Sequence, residues 1–126
     1  MSRFNNNVVN NFFSKHSNSW IYNGYNNDGY NYPVAAKRLS LVKKILFKNF
    51  RNKKLKILDI GCGGGHVSLE LANDGHIVRG IDQSAQMIDI SSKHRDKLSK
   101  KIKKNISFEI GSVSDNSLES NKFEVV

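Results

Sequence analysis

A chain of 126 residues allows one domain with a modest hydrophobic core. Hydrophobic residues at 38% and aromatic residues at 10% are typical of a soluble globular protein, and no apolar run approaches the roughly 20 residues of a membrane span. The formal net charge of +9 raises the possibility of nucleic-acid binding, while the single cysteine excludes an internal disulfide framework and favours the cytoplasm.

Residues 1–32 are rich in asparagine and aromatic side chains but show almost no aliphatic periodicity. Such a segment is ordered only where it docks on another surface. We assign residues 1–53 to an N-terminal unit in which this aromatic arm is a candidate lid over a ligand site, with a flexible or merely packed arm as the alternative. The aromatic residues of the arm include Phe12, Phe13, Trp20, Tyr22, Tyr25, Tyr30 and Tyr32.

A helix is predicted from Pro33, because proline suits the first helical position. Apolar residues recur after it at helical spacing and predict a stripe that packs on a sheet, ahead of the first strand. A partner-binding face is the alternative interpretation of this stripe. Its residues are Leu39, Val42, Ile45, Leu46 and Phe50.

The sequence KILDIGCGGGH at residues 56–66 predicts a strand that runs into a ligand-binding loop. The strand is short and rich in branched apolar residues, as expected of a strand covered on both faces. Gly61, Gly63 and Gly65 then alternate, which permits positive φ angles and lets backbone N–H groups approach a ligand with no Cβ in the way. With Asp59 just before them, these glycines predict a site for a small polar ligand at the carboxyl end of the strand.

A helix from His66 to about Gly75 and a second strand at residues 77–81 are predicted after the loop. The N–H groups of the first helical turn would face an anionic group held in the loop. Asp82 stands at the tip of the second strand, where a carboxylate can accept hydrogen bonds from both hydroxyls of a ribose. Together these features predict a cofactor that contains a nucleoside.

Two classes of cofactor use such a site. A dinucleotide such as NAD needs a third glycine three residues after the second, where this chain has His66, and Asp59 would repel the pyrophosphate. S-adenosylmethionine has an ammonium group that Asp59 could pair with, a carboxylate and a ribose, but no phosphate. The sequence therefore favours S-adenosylmethionine, with the nucleotide-binding domain of an NAD-dependent oxidoreductase as the alternative.

The chain resembles the class I S-adenosylmethionine-dependent methyltransferases in three segments, LDIGCGGG at residues 58–65, GIDQSAQMI at 80–88 and FEVV at 123–126. The resemblance covers residues 54–126 and implies an α/β fold with a Rossmann-like, doubly wound parallel sheet of strand order 3-2-1-4, preceded by an N-terminal helical segment. Residues 106–110 would form the third strand and residues 123–126 the fourth. Family members continue with three more strands, so we expect this domain to be incomplete, cut after the fourth strand.

The resemblance also implies roles for individual residues. Asp59 and the glycine loop would hold the methionine part of the cofactor, Asp82 would hold its ribose, and the position of Gln83, usually apolar in the family, would flank the adenine. Ser112 replaces an aspartate that accepts from the adenine amino group in many members, so adenine recognition is expected to depend more on the backbone N–H of Val113. The predicted cofactor-binding residues are Asp59, Gly61, Cys62, Gly63, Gly65, Asp82, Gln83, Met87, Ser112 and Val113.

Two residues of the loop region invite a catalytic role. Cys62 lies between glycines and no motif pairs it with a base, so we interpret it as a small residue suited to a tight turn rather than as a nucleophile. His66 is interpreted as an ordinary residue at the start of a helix rather than as a catalytic base. We assign no catalytic residue, and the scattered histidines do not predict a metal site.

A lysine-rich stretch after Ser84 supplies much of the positive charge. Basic residues near a helix end complement the helix macrodipole. Because interleaved aromatic residues and arginine pairs are missing, we interpret the stretch as a solvated helix face and do not favour a nucleic-acid partner. Its basic residues are Lys93, Arg95, Lys97, Lys100, Lys101, Lys103 and Lys104.

The predicted function is the transfer of a methyl group from S-adenosylmethionine to an acceptor. We expect a small-molecule acceptor, because the motif sequences resemble those of small-molecule methyltransferases, and the loop sequence GCGGG is also found in quinone-biosynthesis O-methyltransferases. A non-catalytic S-adenosylmethionine-binding remnant is the second alternative, because the part of the family's fold that shapes the acceptor pocket is missing. The acceptor, the catalytic base and the oligomeric state are not predicted.

Overall fold

The computed structural model describes residues 33–114 and 122–126, so the aromatic arm predicted as a lid lies outside the described residues. The described part of the chain contains four helices and three strands, with two consecutive helices before the last strand. They are α1 (Pro33–Phe50), β1 (Lys56–Ile60), α2 (His66–Asn73), β2 (Ile77–Asp82), α3 (Ala85–Asp96), α4 (Lys100–Lys103) and β3 (Ile106–Ile110).

The three strands form one parallel sheet in the order β1-β2-β3. On the other side of β1, Val125 forms a parallel bridge with Ile57, and the Leu58 N–H donates to the Val125 carbonyl at 3.0 Å. Across the sheet, the final segment therefore lies beside β1, on the side opposite β2. The predicted strand order 3-2-1-4 and the α/β class are confirmed. The fourth strand, predicted over residues 123–126, is reduced to this single bridge.

The main core lies between one face of the sheet and the helices. Ile57, Val78 and Ile106 are neighbours in the strand register, and each is less than 5% exposed. Leu71 of α2 and Leu46 of α1 belong to the same buried cluster. Burial of branched side chains on neighbouring parallel strands is the main favourable contribution to this packing.

The predicted apolar stripe of α1 is confirmed at Val42, Leu46 and Phe50, while Leu39 is half-buried and Ile45 is wrong. Leu46 is 7% exposed, and Val42 and Phe50 pack against the core beside it. Ile45 is 49% exposed. Residues 42, 46 and 50 recur every four positions and stay on one face of a helix, whereas residue 45 is rotated away from residue 46 by about 100°.

Strand β1 was expected to be covered on both faces, and this holds for its middle only. Ile57 and Leu58 point to opposite faces and are 4% and 5% exposed, but Ile60 is 38% exposed. Ile60 is the last residue of the strand, so it lies at the open carboxyl edge of the sheet.

The end of α2 aims the chain back into the sheet. Gly75 has φ 99°, its N–H donates to the Ala72 carbonyl at 2.9 Å, and the His76 N–H donates to the Leu71 carbonyl at 3.1 Å. These two bonds form a Schellman motif, so the predicted helix stop at Gly75 is confirmed. The turn starts β2 alongside β1, which brings Asp82 to the same edge of the sheet as the glycine loop. In the described ranges, no helix is both long and apolar enough to cross a membrane.

Candidate functional site

The glycine loop between β1 and α2 is fastened to the end of β2. Gly61, Gly63 and Gly65 have φ angles of 70°, 55° and 82°, which side-chain-bearing residues rarely adopt. The N–H groups of Gly61 and Cys62 both donate to the carbonyl of Ile81, at 2.8 and 2.9 Å. The need for glycine at the three alternating positions is therefore confirmed by the backbone.

Asp82 at the tip of β2 holds the loop from the other side. Its Oδ2 accepts from the Gly63 N–H at 2.9 Å, and its Oδ1 accepts from the Ser84 N–H at 2.8 Å. Ser84 in turn caps α3, because its hydroxyl accepts from the Met87 N–H at 3.2 Å. An ionised carboxylate has about four acceptor positions, so each oxygen of Asp82 keeps capacity for a further donor.

The Phe108 ring fills the closed side of the loop. A Cβ added to Gly65 would lie 2.6 Å from Phe108 Cζ, and one added to Gly80 would lie 2.7 Å from Phe108 Cδ1. Close packing therefore requires glycine at both positions, and at Gly65 the positive φ of 82° requires it as well. Phe108 was missed from the sequence, although strand alternation puts it on the same face as its register partner Gly80.

The other side of the loop is open. Among the residues that the structure describes, a Cβ added to Gly61 or Gly63 would meet nothing within 4 Å. The loop therefore has one side packed on a ring and one side with free space above exposed backbone, and a ligand could approach the backbone from that second side.

Asp59 lies just before the loop and is bonded to α2. The Ser68 hydroxyl donates to Asp59 Oδ2 at 2.6 Å, and Ser68 is 0% exposed. Burial raises the pKa of the Asp59 carboxyl, the Ser68 hydrogen bond opposes that rise, and the nearby charge of Asp82 adds to it. The sequence analysis also missed Ser68 as a partner of Asp59. A partly buried carboxylate needs a hydrogen-bond donor, but Ser68 lies nine residues further along the chain, and no sequence motif links the two residues.

Burial shifts the pKa of both Cys62 in the loop and His66 at the start of α2. Burial, followed by the negative charges of Asp59 and Asp82, raises the pKa of the Cys62 thiol far above its usual range, so the thiol is protonated at neutral pH. His66 is the first residue of α2, and burial lowers the pKa of its imidazole.

The remaining predicted site residues surround the space beyond Asp82. Gln83 is exposed, and its Nε2 lies 3.4 Å from the Ser112 hydroxyl, so the structure brings together the two side chains assigned to the adenine. Val113 is 68% exposed. Met87 is only 3% exposed, so it could contact a ligand only as part of the wall of the site. Across residues 33–114 and 122–126, no three His, Cys, Asp or Glu residues are grouped to hold a metal ion.

The lysine-rich stretch lies away from this edge. It spans the end of α3, α4 and the approach to the first residue of β3, at the opposite end of the parallel strands. Lys93 pairs with Asp89 at 3.0 Å and Lys103 with Asp96 at 3.5 Å, both on the solvent side.

The family model for a methyltransferase domain matches residues 51–126, which is more than half of the chain. The chain belongs to this methyltransferase family. Among curated relatives, this methyltransferase domain is 37% identical over 71 residues to the ubiquinone biosynthesis O-methyltransferase of Coxiella burnetii, an alignment that covers 53% of this chain and 30% of the relative. The alignments thus span 30% or less of the length of these curated relatives.

Solved structures agree with the fold of the methyltransferase domain. A Pyrococcus horikoshii OT3 protein superposes with a TM-score of 0.62 at 27% identity, over 84% of this chain and 46% of the other. The magnesium protoporphyrin IX methyltransferase of Synechocystis PCC 6803, solved with bound S-adenosylhomocysteine, superposes with a TM-score of 0.66 at 19% identity, over 86% of this chain and 52% of the other. The class I methyltransferase fold is shared by all three chains.

Proposed function

We propose that this domain binds S-adenosylmethionine at the carboxyl edge of its sheet and that the protein transfers the methyl group to a small-molecule acceptor. The observation that carries this proposal is the placement of two carboxylates beside a glycine loop with one open side: Asp59 lies just before the loop, and Asp82 is bonded to its central residue, Gly63. A ligand with an ammonium group at one end and a ribose diol at the other offers a partner to each carboxylate.

The methionine part of the cofactor is assigned to Asp59, the glycine loop and the start of α2. The Asp59 carboxylate pairs with the ammonium group, and the open backbone at Gly61 and Gly63 lets the ligand lie close to the loop. The N–H groups of the first turn of α2 suit the ligand carboxylate.

The ribose and adenine are assigned to the tip of β2 and the end of β3. Asp82 keeps acceptor capacity on both oxygens after binding the Gly63 and Ser84 N–H groups, which suits the two ribose hydroxyls. Gln83, Ser112 and the Val113 N–H are proposed to flank the adenine. Cys62 and Met87 are proposed as neutral wall residues of the same site.

The same geometry argues against a dinucleotide. A pyrophosphate in this loop would place two negative charges beside the Asp59 carboxylate. Partial burial already disfavours the ionised form of Asp59, so these further negative charges would be repelled strongly. No residue on the open side offers a cation to offset that repulsion within the described loop, residues 61–65.

The cofactor, when bound, supplies an electrophilic methyl group on sulfur. The part of the chain described here contributes binding, orientation and exclusion of water, which can account for much of the rate of a direct transfer. An oxygen atom of a small molecule is the acceptor we favour, because the curated relative is named as an O-methyltransferase. The proposed compartment is the cytoplasm, where the one cysteine would stay reduced.

Calorimetric titration with S-adenosylmethionine, S-adenosylhomocysteine and NAD tests the assignment. We expect the two sulfur ligands to bind at one site and NAD to bind more weakly than either. Tighter binding of NAD would contradict the proposal, and saturable binding of the sulfur ligands without turnover of any acceptor would indicate a non-catalytic binding module.

A further inference from the structure

The hydrogen bond between Ser68 and Asp59 joins the first turn of α2 to the carboxyl end of β1, the strand that precedes the glycine loop. Its length of 2.6 Å is that of a charge-assisted O–H···O⁻ bond. Ser68 is completely buried, so no water competes for its hydroxyl. The bond therefore holds the Asp59 carboxylate in one orientation.

That orientation leaves one carboxylate oxygen uncommitted. Oδ2 accepts from Ser68, and no described residue donates a hydrogen bond to Oδ1. Asp59 is half-buried, so this oxygen can still be reached by a ligand, and an ammonium group brings three donors to it. A freely rotating carboxylate would lose conformational freedom on binding such a group, whereas this one has already lost it.

We propose that Ser68 is a positioning residue that presets Asp59 to receive the ammonium group of an amino-acid ligand. The inference rests on the proposed function, since it assumes that Asp59 faces the methionine part of the cofactor. It adds a selectivity: the loop should distinguish ligands with an α-ammonium group from nucleoside thioethers without one.

Two ligands separate this role from a merely structural one. S-adenosylhomocysteine carries the amino-acid group, and 5′-methylthioadenosine shares its nucleoside and thioether but lacks that group. Calorimetry should show that Ser68→Ala weakens S-adenosylhomocysteine binding about ten-fold, with 5′-methylthioadenosine changed less than about two-fold. Ser68→Thr keeps the hydroxyl and should restore most of the loss.

Asp59→Asn supplies the coupling test. In that background the amide can no longer pair with the ammonium group, so adding Ser68→Ala should weaken S-adenosylhomocysteine binding by less than about two-fold. Should Ser68→Ala fail to fold, Ser68→Cys, which is close in size and only a weak donor, takes its place in both experiments.

Three results would overturn the inference. The first is an equal loss of both ligands in Ser68→Ala, which would show general damage to the loop. The second is a full additional loss in the Asp59→Asn background. The third is unchanged binding of both ligands in Ser68→Ala. If the unaltered protein binds neither ligand, the proposed function itself fails, and this outcome is distinct because it appears before any substitution is made.

Discussion

Asp82 accepts a hydrogen bond of 2.9 Å from the backbone N–H of Gly63, so the acidic tip of β2 is tied directly to the centre of the glycine loop. The same carboxylate accepts from the Ser84 N–H at the start of α3. One side chain thus fixes the relative position of the loop and the next helix. A ligand that binds Asp82 meets a site whose backbone is already ordered, which lowers the entropic cost of binding.

Replacing Asp82 by alanine should therefore weaken cofactor binding strongly. Hydrogen bonds to charged groups contribute roughly 1.5–3 kcal/mol each, so losing two ribose contacts predicts a loss of roughly a hundred- to ten-thousand-fold in affinity for S-adenosylhomocysteine. Calorimetry measures it, with Asp89→Ala as the control, because Asp89 is an exposed acid on α3 that pairs with Lys93 on the solvent side. Equal affinities for the two variants would place the site elsewhere.

Alanine substitutions of glycines on the open side of the loop and beside the Phe108 ring should be harmful for different reasons. Gly63→Ala puts a methyl group into the open side and an L-residue at φ 55°, so we expect ligand binding to be lost at a cost in stability of about 1–2 kcal/mol. Gly80→Ala instead drives a Cβ to 2.7 Å from the Phe108 ring and should cost about 1–3 kcal/mol through overpacking.

Urea unfolding of the Gly80 variant in two backgrounds checks the second half of this contrast. Phe108→Leu removes the ring atoms that the new Cβ would meet, so Gly80→Ala should cost much less in that background. A loss of stability of the same size in both backgrounds would mean that Phe108 is not what excludes a side chain at residue 80.

The lone thiol should be slow to react. Burial and the charges of Asp59 and Asp82 raise the pKa of Cys62, and the thiolate is the reactive form, so alkylation of the native protein at pH 8 should be much slower than that of free cysteine. Unfolded protein, which has the same single thiol, is the control and should react at the ordinary rate. Rapid alkylation of the native protein would contradict the description of Cys62 as a half-buried turn residue with a raised pKa.

Much of this site could be predicted because its determinants are local. The glycine loop, Asp59 and Asp82 are read directly from β1 and β2, since a positive φ selects glycine and a strand end exposes the next polar residue. The stop of α2 at Gly75 is equally local. Such features depend on a few neighbouring residues, and these fix the backbone whatever the rest of the fold does.

The contacts that were missed depend on rotation and register. Whether Ser68 meets Asp59 is set by the phase of α2 relative to β1, which a loop of five residues does not fix. Phe108 reaches Gly65 only because β3 pairs with β2 in one particular register. Ile45 was placed on the core stripe because an apolar side chain does not by itself reveal which face of the helix is covered.

Binding should also depend on pH in a way that reports Asp59. Burial raises the pKa of this carboxyl above 3.8, the ordinary value of an aspartate, so the ionised form that pairs with an ammonium group is lost at a higher pH than usual. Affinity for S-adenosylhomocysteine should fall as the pH drops through that raised pKa. The ligand-free protein should show the opposite trend, because the folded state favours the protonated acid and the contribution of Asp59 to stability decreases as the pH rises.

Asp59→Asn is the matched variant for this titration. Asp59→Asn should bind S-adenosylhomocysteine weakly at every pH and should lose the decrease in affinity that protonation of Asp59 causes at low pH. Ser68→Ala removes the hydrogen bond that opposes the rise in the Asp59 pKa, so in this variant the decrease in affinity should begin at a higher pH. If affinity decreases at low pH in the same way in the unaltered protein, Asp59→Asn and Ser68→Ala, another group controls this pH dependence.

An amide NMR titration of the labelled protein with S-adenosylhomocysteine locates the bound cofactor. We expect saturable shifts at one equivalent in the amides of Gly61, Gly63 and Ser84, with little change in α4 at the opposite end of the sheet. Saturable shifts concentrated in α4, or none anywhere at saturating ligand, would contradict this location.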